Sequence, residues 1–338
     1  MENDNIFFRN KITTVNGIMC ILVVLLHSEN ITEKYGSSIN KGIVLLENFM
    51  VFLGKLAVPT FFFISAILFF QNYDLSKIMS KYKSRISSVV IPYLLWNFLY
   101  LIFFYILANN PLSNALIETE KFPINAKVII DSILFHQYNG VYWYMSQLIL
   151  FILISPVVYI VMKSPYGIII VPVSIIINPW LIYWLLGAYF VMHIREQIYH
   201  RSSGKKIYLT LSLSIILILV RFYLEYMNQE IEVNEYALNL LKLVNVISVW
   251  FALDILSFNS VYKWMQMSFF IYSFHPLVVW TIKDIIATLL PPNNIIALAN
   301  YMITAIGGVL ISVCSAKILI RFTPKIYSVL TGGRSAAI

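Results

Sequence analysis

Charge is scarce in this sequence. Lys, Arg, Asp and Glu make up 12% of its 338 residues, whereas about 25% is usual for a soluble protein. Hydrophobic residues make up 59%, and the mean hydropathy is +0.78. The only cysteines are Cys20 and Cys314, both within apolar runs, which argues against a disulfide framework and against a thiolate metal site. The composition therefore indicates an integral membrane protein.

Several familiar signals are also missing. The chain has no Gly-rich phosphate loop, no His-Glu-x-x-His motif, no internal repeat and no soluble domain. The first apolar run is followed by Ser28-Glu29-Asn30 rather than by small residues, so we expect no cleavable signal peptide. No basic helix with interleaved aromatics suggests nucleic-acid binding. We expect no metal and no permanently bound cofactor, and the lack of repeat symmetry disfavours a small-solute transporter.

Long apolar runs are abundant. Runs of about 20 such residues are typical of membrane helices, and the sequence indicates about ten: 12–29, 44–70, 86–108, 141–162, 166–178, 180–194, 206–224, 239–257, 262–290 and 296–320. We predict an all-α integral membrane protein with one domain over residues 1–338 and a membrane core at about 12–322. The two short runs around 166–194, separated by Asn178-Pro179, fit either two tight spans or a broken, partly re-entrant pair.

The distribution of basic residues predicts the topology. With the N-terminus inside, most of the 24 Lys and Arg residues fall in inner segments, as the positive-inside rule requires. The net charge of +8 is explained in the same way. We therefore predict a multi-pass protein of the cytoplasmic (inner) membrane, with both termini and the 195–206 loop in the cytoplasm.

Two of the five histidines, His27 and His275, are singled out among those inside predicted spans. His27 ends the first apolar run and His275 lies in the ninth. Ionisable groups inside membranes are costly and usually functional, and histidine is a frequent general base. At about 1.5 Å per residue, both lie roughly 20 Å from the inner helix ends, so they could line one cavity. The alternatives are a His27 that rests at the interface and two unrelated buried histidines.

Basic residues also occur within the second span and just before the third. Lys55 lies one turn before Pro59, which is expected to kink its helix. Lys81, Lys83 and Arg85 open the third span, either as a positive-inside anchor or as a clamp for a phosphorylated cytoplasmic ligand. The four glutamates of the 225–238 segment are expected to form a solvated loop face: Glu225, Glu230, Glu232 and Glu235.

These segments, in this order, resemble the family 3 membrane acyltransferases over essentially the whole chain. The matching pieces are the helix that ends at His27, Lys55 with Val58-Pro59, Arg85 with Ile91-Pro92-Tyr93 and Trp96-Asn97, Trp143-Tyr144 with Ser155-Pro156, Leu186-Gly187-Ala188-Tyr189, Ile271-Tyr272 with His275-Pro276, and the tail Leu330 to Arg334. Each piece alone is a weak signal, whereas their order and spacing together are specific.

The resemblance implies a ten-helix enzyme that moves an acyl group, here taken as acetyl, from cytoplasmic acyl-CoA to a hydroxyl of an extracytoplasmic glycan or its lipid-linked precursor. It implies His27 as the general base. Acyl-donor binding would involve Asn16, Lys55, Lys81, Lys83 and Arg85. The substrate cavity would include Tyr93, Asn97, Trp143 and His275. The expected partners are acyl-CoA, the glycan acceptor and membrane lipids, and a homodimer is left open.

Four positions, in three places, depart from the family pattern. Asn16 stands where an Arg is usual, eleven residues before His27, and Ala66 replaces a frequent Gly. Ser146-Gln147 replaces an Arg-Asp pair that many relatives carry. The lost charges leave open an alternative function, a polysaccharide export or flipping protein on the same scaffold without acyl transfer. The retained His27, Arg85 and His275 argue against that alternative.

Overall fold

All the regular structure found is helical. The computed structural model describes residues 2–36, 39–110, 121–227 and 234–334, and no strand occurs within those ranges. The α-helices are α1 Glu2–His27, α2 Ile31–Tyr35, α3 Lys41–Gly54, α4 Ala57–Phe70, α5 Ile78–Arg85, α6 Ile91–Asn109, α7 Ala126–Phe135, α8 Trp143–Leu153, α9 Ser155–Lys163, α10 Ile170–Val173, α11 Leu181–His193, α12 Arg195–Tyr199, α13 Gly204–Phe222, α14 Glu235–Ala252, α15 Ser268–Leu289, α16 Asn294–Phe322 and α17 Pro324–Leu330.

The membrane class is confirmed by the length and apolarity of these helices. In the part of the chain that the structure describes, seven helical stretches are long and apolar enough to cross a membrane: Asn5–Tyr35, Lys41–Phe70, Leu75–Asn109, Gly204–Tyr226, Glu235–Leu256, Lys263–Leu289 and Asn294–Phe322. Five of them contain a predicted apolar run in full, and Glu235–Leu256 and Lys263–Leu289 match the runs 239–257 and 262–290 except for single end residues.

The predicted count of ten spans is not confirmed. The run 141–162 forms two helical pieces, Gly140–Leu153 and Ser155–Lys163, bent by 64°. Pro156 has no N–H for the carbonyl of Ile152, so the helical hydrogen bonding is interrupted at this point. The runs 166–178 and 180–194 form the shorter helices Pro165–Ile176 and Leu181–His193. Counting the bent pair as one span gives eight among the described residues, and the orientation of the termini stays a prediction.

The chain divides into two compact units, each assembled from three separate parts of the sequence. Unit 1 contains Met1–Val23, Phe52–Met79 and Phe151–Met265, and unit 2 contains Val24–Val51, Ser80–Leu150 and Gln266–Ile338.

Unit 1 has an aromatic core with one close helix contact. The Phe63 ring meets the rings of Phe190 and Trp250 edge-on at 5.4 and 5.5 Å between centroids. A Cβ on Gly187 would collide with the carbonyl oxygen of Phe63, so only glycine lets α11 approach α4 this closely. Such small-residue contacts are how membrane helices gain packing contacts.

A buried ion pair also belongs to unit 1. The Nζ of Lys11 lies 2.6 Å from Oδ1 of Asp254, and both side chains are fully buried. The second carboxylate oxygen of Asp254 accepts the N–H of Ser202, and Lys11 lies 4.2 Å from the ring centroid of Trp250. These contacts tie α1 to the turn that follows α14.

Unit 2 is built around the pair α15 and α16. A Cβ on Gly308 would lie 2.8 Å from Cγ2 of Val279 and 2.9 Å from Cγ1 of Val24, so α16 packs closely on α15 and on the end of α1. This packing brings the end of the first membrane helix against α15, although the two are far apart in sequence.

Candidate active site

The centre of the candidate site is a pair of histidines. His27 is the last residue of α1, and His275 lies near the middle of α15. Their ring centroids are 5.5 Å apart, with a 41° angle between the ring planes. His27 is half-buried and His275 is fully buried. The structure therefore brings together the two intramembrane histidines that the sequence indicated.

The hydrogen bonding of His275 assigns its tautomer. Its Nδ1 lies 3.0 Å from the carbonyl oxygen of Ile271. A carbonyl only accepts hydrogen bonds, so Nδ1 must carry the hydrogen. In the neutral ring Nε2 then keeps a free lone pair, and this buried atom has no hydrogen-bond partner among the described residues. A buried acceptor left unpaired costs free energy and calls for an explanation.

Tyrosines hold the segment of α15 that carries His275. The rings of Tyr93, Tyr142 and Tyr272 stack in sequence with 5.8 Å between neighbouring centroids. Tyr142 donates to the hydroxyl of Ser273 at 2.7 Å, and Tyr100 donates to the Ser273 carbonyl at 2.9 Å. The sequence analysis missed this column, because its members come from three distant segments and no local pattern connects them.

A buried carboxylate fixes the chain just after His27. Oε1 of Glu47, on α3, accepts the backbone N–H groups of Asn30 and Ile31 at 2.8 and 3.0 Å. Lys283, two turns beyond His275 on α15, lies 3.4 Å from the carbonyl oxygen of Glu29. The end of α1 is thus tied both to α3 and to α15, which limits the motion of His27.

The predicted basic residues that precede α6 lie in the same unit. Lys81, Lys83 and Arg85 occupy the last part of α5, which runs through a π-helical turn, Ile86–Val90, into α6. Lys83 is exposed, whereas Lys81 and Arg85 are half-buried. Such π turns occur often at functional sites.

Arg334 joins this basic group, and its role was missed by the sequence analysis. It donates to the carbonyl oxygens of Ser88 and Thr331 at 2.9 and 2.7 Å, and its guanidinium lies 4.2 Å from the ring centroid of Phe269. Burial and the nearby charge of Arg85 lower the pKa of Arg334 to about 10, so it remains charged at neutral pH. Among the described residues, no carboxylate forms an ion pair with Arg334.

A glycine turn positions Arg334. Gly332 and Gly333 have φ of +63° and +78°, a region that side chains other than glycine rarely adopt. A Cβ on Gly332 would lie 2.5 Å from the carbonyl oxygen of Ser88. Trp96 donates to the Leu330 carbonyl at 3.0 Å, which secures the start of the turn.

Three predicted cavity residues also lie in unit 2. The hydroxyl of Tyr93 donates to the carbonyl of Leu134, and Nδ2 of Asn97 donates to the carbonyl of Ile133. Both side chains therefore hold α7 against α6. Oδ1 of Asn97 is buried without a partner among the described residues. Trp143 begins α8 and is half-buried.

Two predicted donor-binding residues belong to unit 1 instead. Asn16 is half-buried on α1, beside Gly17, where a Cβ would lie 2.7 Å from Cγ of Met265. Lys55 lies 3.8 Å from Oε2 of Glu225 and 4.6 Å from the ring centroid of Tyr226. Their predicted role in donor binding stays a prediction.

In the described ranges, no group of three or more His, Cys, Asp and Glu residues is placed to hold a metal ion.

The fold and the site together define a class: an all-helical, multi-pass membrane protein with paired histidines in its spans and a basic group at one end of α6. The chain belongs to the acyltransferase 3 family, whose model, described as an acyltransferase domain, matches residues 10–317. This confirms the resemblance seen in the sequence and supports a membrane acyltransferase. No curated protein matches the chain, and neither does any solved structure.

Proposed function

We propose that the protein is a membrane O-acyltransferase that moves an acetyl group from cytoplasmic acetyl-CoA to a hydroxyl of an extracytoplasmic glycan or its lipid-linked precursor. The observation that carries the proposal is the contact between His27 and His275 in a chain of the acyltransferase 3 family. General-base catalysis needs a positioned imidazole, and this pair is supported by contacts from α3, α6 and α15.

His27 acts as the general base. It takes the proton of the acceptor hydroxyl while the hydroxyl oxygen attacks the thioester carbonyl. The tetrahedral intermediate then collapses, the carbon–sulfur bond breaks, and the thiolate of CoA leaves and takes the proton from His27. One hydroxyl hydrogen is thus replaced by one acyl group, and the CoA thiol is regenerated without any metal or redox step.

His275 positions His27. With Nδ1 bonded to the Ile271 carbonyl, its Nε2 can accept a hydrogen bond from the N–H of the His27 ring. Such a bond would orient the His27 ring and leave its other nitrogen unprotonated toward the acceptor. It would also stabilise the imidazolium form of His27 after proton transfer.

The basic group binds the donor. Lys81, Lys83, Arg85 and Arg334 supply positive charge that suits the phosphates of CoA, because guanidinium groups bind phosphate through paired hydrogen bonds. On the topology expected from the sequence, this end of α6 faces the cytoplasm, where acyl-CoA is available. Tyr93, Asn97 and Trp143, from the same unit, are the residues we assign to the wall of the acceptor site.

Acylation of the surface glycan tests the proposal. Alkali-released acetate per sugar residue is measured in cells with and without the gene, together with the total amount of surface glycan. We expect the acetate to disappear while the glycan remains. Loss of the glycan with unchanged acetate per sugar would instead indicate an exporter and overturn the proposal.

A further inference from the structure

Unit 1 contains a cavity that no part of the proposed catalytic site uses. Its volume is about 260 Å³, and it lies between the start of α11, the end of the α13 segment and the first turns of α14. Its lining combines one large aromatic residue with two carboxylates, an amide and an ammonium group: Pro179, Trp180, Glu225, Glu235, Leu238, Asn239 and Lys242.

One face of α14 forms a wall of this cavity. Glu235, Leu238, Asn239 and Lys242 follow spacings of three, four and seven residues, which place them on the same side of a helix. Three of the four are polar, although the helix is apolar enough to cross a membrane. Polar residues clustered on one face of a membrane helix indicate a cavity or a binding site rather than contact with lipid.

Glu225 is held in place by one buried and one partly exposed cation. Arg221 is fully buried, and its Nη2 lies 2.8 Å from Oε1 of Glu225, while Lys55 approaches Oε2 at 3.8 Å. Arg221 also stacks on Phe52, with 4.9 Å from its guanidinium to the ring centroid. Glu225 is therefore a fixed carboxylate at the cavity and not a solvated loop residue as the sequence predicted.

Burying Arg221 is costly for a membrane helix, which argues that the residue serves a function. Its contacts show what it does: they fix the direction of the Glu225 carboxylate. A carboxylate with a fixed orientation is suited to accept hydrogen bonds from the hydroxyls of a ligand in the cavity.

We propose that this cavity binds one uncharged sugar ring of the acceptor glycan. Trp180 offers an aromatic face for the apolar side of the ring, and Glu225 and Glu235 accept hydrogen bonds from its hydroxyls. Asn239 can both donate and accept, and Lys242 donates. Because the lining carries both signs of charge, it favours a neutral ring over a uronic acid.

The size and place of the cavity agree with that ligand. Its volume lies just below the range of roughly 300–1,000 Å³ typical of sites for drug-sized ligands, so it suits one ring rather than an oligosaccharide. The cavity lies at the end of α13 opposite to Lys205 and Lys206, which is the outer end on the expected topology. This inference rests on the proposed function, because it gives the glycan acceptor a second point of contact.

Binding is tested directly, without the acyl-transfer reaction. Purified full-length protein in lipid nanodiscs is examined by saturation-transfer difference NMR with N,N′-diacetylchitobiose, cellobiose and glucuronate. We expect signals from at least one of the two neutral disaccharides. Trp180→Leu should weaken this binding by roughly tenfold, since the aromatic contact is lost.

Two further variants keep the test informative if Trp180→Leu does not fold. Glu235→Gln changes an exposed residue at the cavity rim and should also weaken binding. Trp264→Leu, a half-buried tryptophan of the same unit outside the cavity, is the matched control and should bind as the unmodified protein does. Equal binding in all variants, binding of glucuronate alone, or no binding of any probe would overturn the inference.

The two proposals can fail separately. A protein that binds the neutral disaccharide through Trp180 but transfers no acetyl group would disprove the enzyme and leave the sugar site. A protein that acetylates glycan with the same acceptor KM in Trp180→Leu and Glu235→Gln would retain the enzyme and disprove the sugar site.

Discussion

The contact between His27 and His275 joins residues from opposite parts of the sequence into one chemical unit. His275 is the better fixed of the two, because its Nδ1 is bonded to Ile271 and tyrosines secure the helix around it. His27 lies at a helix end and is half-buried. This division suits a base that must meet substrate and a neighbour that only orients it.

Replacement of His27 by asparagine tests its role as the base. Because an amide cannot accept the hydroxyl proton, His27→Asn should reduce acetyl transfer by about 10²–10⁴-fold. Transfer is measured with radiolabelled acetyl-CoA and glycan in membrane vesicles.

The matched control for this change is His136→Asn. His136 has φ of +49°, a conformation that asparagine tolerates well, so this variant should fold and remain active. Full acetylation by His27→Asn would exclude the general-base role.

The basic group gives a second prediction about single residues. Arg85→Gln and Arg334→Gln should each weaken acetyl-CoA binding about ten- to hundredfold, the range for one hydrogen bond to a charged group. Binding is measured by isothermal titration calorimetry on protein in detergent. Arg321→Gln removes an exposed guanidinium at the end of α16 and serves as the control. Unchanged affinity in both test variants would mean that these residues only anchor the helix.

At the scale of elements, the Lys11–Asp254 ion pair is a fully buried polar tie within unit 1. Lys11→Met leaves a buried carboxylate without its cation, which should cost about 3–5 kcal/mol. Thermal unfolding of the purified protein should show a clearly lower Tm for this variant.

The double variant Lys11→Met/Asp254→Asn should recover most of that loss. Asparagine carries no charge to compensate and still presents an oxygen to the N–H of Ser202. Lys77→Met, at an exposed lysine, should leave the Tm unchanged. A Lys11→Met protein as stable as the unmodified chain would show that Asp254 is neutral or hydrated.

The helices themselves were largely predictable from the sequence, and their interruptions were not. The run 262–290 became a single stretch despite Pro276, whereas Pro156 bent its segment by 64°. Apolar composition alone cannot separate these cases, because the packing around each proline decides whether the freed carbonyl is tolerated.

For the candidate site, the sequence indicated the residue types but not all their contacts. His27, His275 and Arg85 stood out because charge and imidazole are rare in apolar runs. Arg334 and Glu225 did not stand out. Their importance depends on contacts with distant residues or on burial, and no local sequence pattern reveals either. Lys55 was grouped with the other basic residues by its motif, yet its contact is Glu225.

At the scale of the whole molecule, the orientation of the helices across the membrane stays a prediction. In a Cys314→Ser background, Pro292→Cys and Lys325→Cys place exposed thiols at opposite ends of α16. Lys317, Arg321 and Lys325 cluster at one end, so that end should be cytoplasmic. In intact cells an impermeant maleimide should label Pro292→Cys at once and Lys325→Cys only after permeabilisation. The reverse pattern would invert the topology.

The bend between α8 and α9 has a consequence for hydration of the apolar layer. Pro156 offers no hydrogen to the Ile152 carbonyl, and the buried Ser155 hydroxyl has no partner among the described residues. Polar groups that lack a hydrogen-bond partner attract water into an apolar region that otherwise excludes it. In deuterium-exchange mass spectrometry the amides around this bend should therefore exchange well before those in the middle of the unbroken α16, because water reaches the bend more readily.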